Sequence, residues 1–288
     1  FGCGTLVSNT LSIPVLAEMV PGVLSYSQLI CYDTEPEALS LSGHGGGSGD
    51  VEYHWHIIQA QEQITVVTID PSFTLGSLVG ILQVSLEVVD LYGCGSVESN
   101  EVVIDVLPEL EQPSIISASS DTLCWMEGIN LDATGFAPYP WLSLQWTSVP
   151  NQSGVTSGQQ SYFASVANLD TTTTFILEVT SDYGCGDISS DLFEVAVFSP
   201  LQPGAIAHDV LPQFSSAFCF GDTLASVYNV LAPSGGSGQW VTEWMVTTLQ
   251  GAEVFSGIAV DTLPSLELEV PLQILRRTVD LQGCGEVE

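Results

Sequence analysis

Apolar and polar positions along this chain alternate with a period of two. Leu82, Val84, Leu86 and Val88 alternate with Gln83, Ser85 and Glu87, and Phe175, Leu177 and Val179 repeat the pattern further on, as half-buried strands do. No segment carries a sustained helical stripe. Short runs rich in Val, Ile, Thr and aromatic residues, broken by Gly, Pro, Asn and Ser, predict antiparallel sandwiches of about seven strands. In the middle of the chain the pattern predicts a strand B at roughly 129–134, a strand C around Trp146, a strand F at 173–181 and a strand G at 187–198. A Gly-Cys-Gly turn joins F to G, where glycine supplies the positive φ of a tight turn.

That turn recurs. Gly2-Cys3-Gly4, Gly93-Cys94-Gly95, Gly184-Cys185-Gly186 and Gly283-Cys284-Gly285 have cysteine spacings of 91, 91 and 99 residues. A proline marks each junction (Pro21, Pro113, Pro203), a second cysteine follows (Cys31, Cys124, Cys219), and a tryptophan comes 22 to 25 residues later (Trp55, Trp146, Trp244). A period near 90 is that of a domain array and too long for a solenoid. The phase predicts residues 1–20 as the last strand of a preceding repeat, then repeats at 21–111, 112–201 and 202–288, the last lacking most of its final strand. On this reading the chain is a window on something longer. The alternative is a donor-strand joint, in which the N-terminal strand of one chain completes the third domain of another. Against it, residues 282–288 already restart the Gly-Cys-Gly strand.

Composition narrows the function. The 288 residues hold 34 acidic groups and two basic ones, for a net charge of −32, yet 45% are hydrophobic. The apolar share argues for packed cores and against a disordered acidic tail. Nucleic acid is excluded as a partner, since phosphate binding needs clustered cations and only Arg276 and Arg277 are present. With no lysine there is no Schiff-base chemistry, no phosphate-binding loop and no lysine isopeptide cross-link. No run of about 18 apolar residues predicts a membrane span. No Gly-x-Ser-x-Gly elbow, no His-Glu-x-x-His and no glycine-rich phosphate loop supports catalysis, and the repeats share no carboxylate pair suited to glycoside hydrolysis.

Taken together, the motifs form a recognisable set. A junction proline is followed by a cysteine with Gly or an acid close behind (Cys219-Phe220-Gly221-Asp222). A Gly-rich approach then leads to the tryptophan (Gly45-Gly46-Gly47-Ser48-Gly49 to Trp55; Gly235-Gly236-Ser237-Gly238 to Trp244), and a strand ends Asp-x-x-x-Cys (Asp90 to Cys94; Asp280 to Cys284). This resembles the PKD-like, Ig-like repeats of giant Bacteroidetes surface proteins, in style the gliding-motility adhesins exported by type IX secretion. The resemblance covers the whole chain. It implies an all-β fold of tandem Ig-like (PKD-like) antiparallel β-sandwich domains in a linear array, an extracellular cell-surface location, and a structural or adhesive role with no enzymatic activity. The middle repeat departs from it: Phe136-Ala137-Pro138-Tyr139-Pro140-Trp141 replaces the glycines.

Seven cysteines without Cys-x-x-Cys spacing look like disulfides of an oxidising compartment and not zinc ligands. Counting within repeats pairs Cys31 with Cys94, Cys124 with Cys185 and Cys219 with Cys284, leaving Cys3 over. Ig topology objects, because the first cysteine lies at the A–B pole and Gly-Cys-Gly at the opposite one, about 17–20 Å away, whereas a bridge spans Cα atoms at most about 7 Å apart. Head-to-tail stacking would instead permit Cys31 with Cys185 and Cys124 with Cys284. Both pairings stay open on the sequence.

The remaining candidates each have a plain reading beside the functional one. Carboxylates near the junctions (Asp33, Glu35, Glu109, Glu111) are weak Ca2+ candidates, against a solvated anionic coat; no other cofactor is expected. Asp90, Asp182 and Asp280 read as turn-initiating residues accepting local N–H groups. His54 and His56 read as an exposed strand face. Trp55, Trp146 and Trp244 read as core, while Trp125 and Trp141 form a possible surface for stacking sugars. Arg276 falls where Leu86 and Leu177 point inward, so it needs either a carboxylate partner or a local shift of register. Asp-Thr triplets at Thr122, Thr171, Thr223 and Thr262 resemble the O-glycosylation sites of Bacteroidetes surface proteins. The expected function is a stiff, anionic spacer in a long secreted filament or adhesin, whose partners are neighbouring repeats or identical subunits. The alternatives are a module binding carbohydrate or surface polysaccharide, or accessory repeats of a secreted hydrolase.

Overall fold

The computed structural model describes residues 2–25, 27–117, 120–152, 155, 162–208, 218–258 and 262–288. Every regular element among them is a strand, and the chain divides into a unit Phe1–Leu110 and a unit Glu111–Glu288. The fold is tandem antiparallel β-sandwiches of Ig-like type.

In the first unit one sheet runs Gln28–Ile30, Val102–Val106, Leu82–Asp90, Val51–Gln59, Glu62–Thr68, and the other runs Val23–Leu24, Leu39–Ser42, Ser72–Phe73. Gln28–Ile30 pairs parallel to Val102–Val106; the remaining pairs are antiparallel. In the second unit the strand pairing falls into two sets that never mix across residue 201. The first set repeats the arrangement, with Ser114–Ser117, Glu127–Thr134 and Phe163–Leu169 in one sheet and Thr122–Leu123, Phe193–Val197, Thr173–Ser181 and Leu142–Val149 in the other. The second set builds its largest sheet from Glu253–Ile258, Trp240–Thr248, Leu272–Asp280 and Glu286–Val287.

Period-two alternation puts one tryptophan at the centre of each sandwich. Trp55 stands opposite Leu86, Trp146 opposite Leu177 and Trp244 opposite Arg276, all three rings being buried. Burying an indole removes roughly 150–250 Å² from water, or about 4–6 kcal/mol of transfer free energy at ~25 cal/mol per Å². These rings therefore anchor the packing of the strands around them.

Strand F is as predicted, Thr173–Ser181. Strand G differs: it splits into Asp187–Ser189 and Phe193–Val197. The break is made by Ser190, whose Oγ accepts the Leu177 amide at 3.0 Å while its own N–H donates to the Leu177 carbonyl. Ser99 does the same with Leu86 in the first unit. A side-chain oxygen thus takes over one rung of the ladder, and alternation alone does not reveal it. Residues 2–19 form no strand, and Leu6, Val7 and Val15 are exposed.

Arg276 is 4% exposed, so the register does not shift to turn it outward. Among the described residues its partners are not carboxylates: the guanidinium donates to Asn229 Oδ1 and to the Pro203 carbonyl, and burial pulls its pKa below the usual arginine value. Arg277, one residue on, faces solvent and pairs with Glu243 and Glu286. Replacing Asn229 with Ala leaves a buried charged donor unmet and is expected to cost about 1.5–3 kcal/mol. Arg276→Leu, which restores the residue of the other two repeats, is expected to change stability by less than about 1 kcal/mol. Equilibrium denaturation checks both, and an unmoved midpoint in Asn229→Ala would contradict the assignment.

Candidate functional site

The chemistry of this chain concentrates at the ends of its sandwiches, where two recurring loops hold the cysteines. The first is the F–G hairpin. Gly93 and Gly95, Gly184 and Gly186, and Gly283 and Gly285 all have positive φ between 77° and 106°. The Asp90 amide donates to the Gly95 carbonyl, the Ser181 amide to Gly186 and the Asp280 amide to Gly285, at 3.0, 3.1 and 3.0 Å. The three hairpins share one conformation.

A buried carboxylate sets it in two of the three. Asp90 Oδ1 accepts the amides of Tyr92 and Cys94 at 2.9 and 3.2 Å, and Oδ2 accepts the Ser48 amide and hydroxyl at 2.6 and 2.7 Å. Asp280 repeats this, taking Gln282, Cys284 and Ser237 amides at 2.9, 3.3 and 2.7 Å. The Ser48 hydroxyl and amide, with Cys94 and Tyr92, hold the Asp90 carboxyl far below the usual carboxylate range. For Asp280 burial pushes the other way, but the bonds from Ser237, Gln282 and Cys284 outweigh it and the net shift is downward. The carboxylates need the glycine-rich loops to come this close. A Cβ on Gly47 would lie 2.5 Å from Asp90 Oδ2, and one on Gly236 would lie 2.4 Å from Asp280 Oδ2.

The middle repeat lacks both halves of the clamp. The residue four before Cys185 is Ser181, whose Oγ accepts only the Tyr183 amide. Asp182, expected to start this turn, points elsewhere and accepts from Ser143 Oγ at 2.7 Å. With no carboxylate to approach, the loop holds Pro138, Tyr139 and Pro140 in place of glycines.

The second recurring loop is the turn after the first cysteine. The residue two beyond it has positive φ each time: Asp33 54°, Met126 66°, Gly221 82°. In the later two, the acid three residues on accepts the cysteine's own amide, Glu127 Oε2 for Cys124 at 2.9 Å and Asp222 Oδ2 for Cys219 at 2.6 Å.

Cys124 and Cys284 are joined in a disulfide, with Cα atoms 5.1 Å apart and 160 residues of separation. Pairing of Cys124 with Cys185 and of Cys219 with Cys284 is thereby excluded, because each repeat holds its two cysteines at opposite poles. Cys31 and Cys185 are half-cystines as well, while Cys3, Cys94 and Cys219 are exposed thiols; burial, then the Asp90 carboxylate, pushes the Cys94 thiol up. Bonded cysteines of this kind belong to a chain that matures in an oxidising compartment.

The other sequence candidates are dispersed. Trp125 precedes the strand Glu127–Thr134 and Trp141 follows the loop after it, so that 8-residue strand, roughly 25 Å long at about 3.3 Å per residue, separates them. They do not form one surface. Trp141 stacks on Tyr139 at 5.0 Å and 11°, with Tyr183 tilted beyond it at 6.4 Å; Trp125 is 47% exposed. Among the described residues no group of three or more His, Cys, Asp or Glu could hold a metal ion, so Asp33, Glu35, Glu109 and Glu111 do not converge. Asp33 sits at the positive-φ position of its turn, and its backbone amide donates to the Leu78 carbonyl. His54 lies beside Glu52 and His56 beside Glu87, at 3.5 and 3.6 Å. Thr171, Thr223 and Thr262 are exposed and Thr122 is half-buried; Asp261 of the last triplet lies outside the described residues. No helix among the described residues is long and apolar enough to cross a membrane.

No protein-family model matches the sequence, and no curated protein matches it. Among solved structures, the three N-terminal domains of the bacteriophage RB49 Highly Immunogenic Outer Capsid protein are 12% identical, covering 86% of this chain and 88% of that one at a TM-score of 0.36. Sidekick-1 immunoglobulin domains 1–5 are 11% identical over 91% of this chain and 54% of that one, at 0.33. The mouse nectin-like molecule 4 ectodomain is 12% identical over 64% and 65%, at 0.34. These scores carry nothing about activity or partners, and the fold rests on the strand pairing described above.

Gly236→Ala is expected to lower stability by about 1–3 kcal/mol, from backbone strain at positive φ and the clash with Asp280; calorimetry checks it. A carboxyl whose folded pKa lies below its unfolded value of about 4 stabilises above that pH, and the contribution is lost as pH falls through the folded value. Asp90→Asn should therefore melt lower than wild type at pH 7, with the gap closing below about pH 4. A gap constant from pH 7 to pH 3 would contradict the clamp.

Proposed function

We propose that this chain is three Ig-type repeats, 21–111, 112–201 and 202–288, of a long secreted cell-surface filament or adhesin of the Bacteroidetes type IX kind, in which it serves as a stiff anionic spacer. The observation that carries the reading is the bond between Cys124 and Cys284, which ties the set of sheets before residue 201 to the set after it. Two sandwiches linked by one strand of peptide hinge freely; a second covalent tie at the pole removes most of that freedom. The peptide connection is itself held down, since the Gly236 amide donates to the Ser199 carbonyl at 2.8 Å and Gln202 bridges to Ser234.

Charge supports the same reading. With 34 acids against two bases, repeats repel along their length and between neighbours, which favours extension and solubility. Cohesion falls to apolar cores and disulfides. The exposed Thr171, Thr223 and Thr262 are where this reading places glycans, and Ca2+ has no assembled site among the described residues.

Stiffness is the testable content. With fluorophores introduced at Gln145 and Met245, the distance distribution across the joint is expected to be narrow in the oxidised protein and at least twofold broader in Cys284→Ser. Equal widths would contradict the spacer reading, as would a Cys219–Cys284 peptide in a non-reducing map.

A further inference from the structure

The joint between Cys124 and Cys284 has two halves, and each half also occurs unpaired. We propose that Cys219 and the groove beside it are the seat for the Gly-Cys-Gly hairpin of a second copy of this chain, whose Cys94 is the partner thiol. This rests on the stapled-repeat reading above and names a partner for the free Cys219.

The donor half is a copy of a hairpin seen making the bond. Asp90-Leu91-Tyr92-Gly93-Cys94-Gly95 matches Asp280-Leu281-Gln282-Gly283-Cys284-Gly285 at all but one position. Gly93 and Gly95 have φ of 85° and 106°, against 86° and 102° for Gly283 and Gly285. Asp90 grips the Cys94 amide as Asp280 grips that of Cys284, at 3.2 and 3.3 Å. Cys94 is therefore already presented in the conformation that the bonded cysteine adopts.

The acceptor half is a copy too. Cys219 has its amide capped by the acid three residues on and a positive φ two residues on, as Cys124 does. Next to Cys219 is a groove of about 600 Å³ lined by Leu224, Leu268 and Leu272. Phe220 at its rim is 83% exposed and Val270 47%. His208 lines it and has a buried Nδ1 with no partner among the described residues. The hairpin that would enter carries Leu91 and Tyr92, 56% and 75% exposed, so apolar surface on both sides would leave water together. The contact is head-to-tail and not self-complementary, so it propagates instead of closing at two copies.

Bond formation needs an electron acceptor, for which oxidised glutathione serves. One cysteine thiolate attacks the glutathione disulfide and expels a glutathione thiolate. The second cysteine thiolate then displaces the other glutathione, forming the Cys94–Cys219 bond. Two protein thiols are oxidised and one glutathione disulfide is reduced to two thiols.

The test is to incubate the full chain, in a Cys3→Ser background, with oxidised glutathione and analyse it by non-reducing electrophoresis and peptide mapping. A ladder at multiples of 30.6 kDa is expected, with Cys94–Cys219 peptides at least tenfold over Cys94–Cys94 and Cys219–Cys219 combined. Cys94→Ser and Cys219→Ser should each stay at one copy, and their mixture should stop at two. Symmetric pairs in the majority, or no cross-link while the Cys124–Cys284 peptide is intact, would overturn this inference alone. Absence of the Cys124–Cys284 peptide would overturn the stapled-repeat reading beneath it.

Discussion

A carboxylate taken out of water must be met by a cation or by hydrogen-bond donors, and this chain has almost no cations. Asp90 and Asp280 are each about 5% exposed and are satisfied by amides and by the side chains of Ser48 and Ser237. That choice fixes much else. The amides must come from two directions, the F–G hairpin and the loop before strand C. The loop must be glycine-rich to come within reach, and the cysteine whose amide is gripped is then held at a set position on the pole. At Cys284 that position is the covalent joint, while Cys185 is bonded without such a carboxylate.

Arg276 shows the same economy with the sign reversed. It is a cation in a protein full of carboxylates, yet among the described residues it meets an amide oxygen and a backbone carbonyl. Neutral acceptors with fixed dipoles satisfy the guanidinium without bringing a second ion to desolvate. The two buried carboxylates and the buried guanidinium are thus all held by neutral groups among the described residues, and the charged surface is left to act on the solvent and on neighbouring molecules.

Much of this was legible in the chain. Period-two alternation located strand F at Thr173–Ser181, and the spacing of cysteine and tryptophan set the repeat. Four features were not. The split of strand G depends on Ser99 and Ser190 inserting a hydroxyl into the ladder, and a serine in a polar position gives no sign of it. Asp182 was grouped with Asp90 and Asp280 by residue type, whereas distance from the cysteine selects Ser181, and only the loss of the glycines in that repeat hints that the clamp is missing. Trp125 and Trp141 read as one aromatic surface because they are near in sequence, but a whole strand intervenes. The two cysteine pairings could not be separated by counting, since that choice depends on which pole each loop occupies.

The bond between Cys124 and Cys284 also changes what happens when the chain is pulled from its ends. A load arriving at Cys124 can cross to Cys284 through one disulfide without following the peptide between them. That bypassed segment, 160 residues of separation, would reach roughly 550 Å if drawn out at about 3.3–3.6 Å per residue. While the bond holds, Cys124 and Cys284 cannot be drawn apart, and the full length of that segment is withheld from end-to-end stretching.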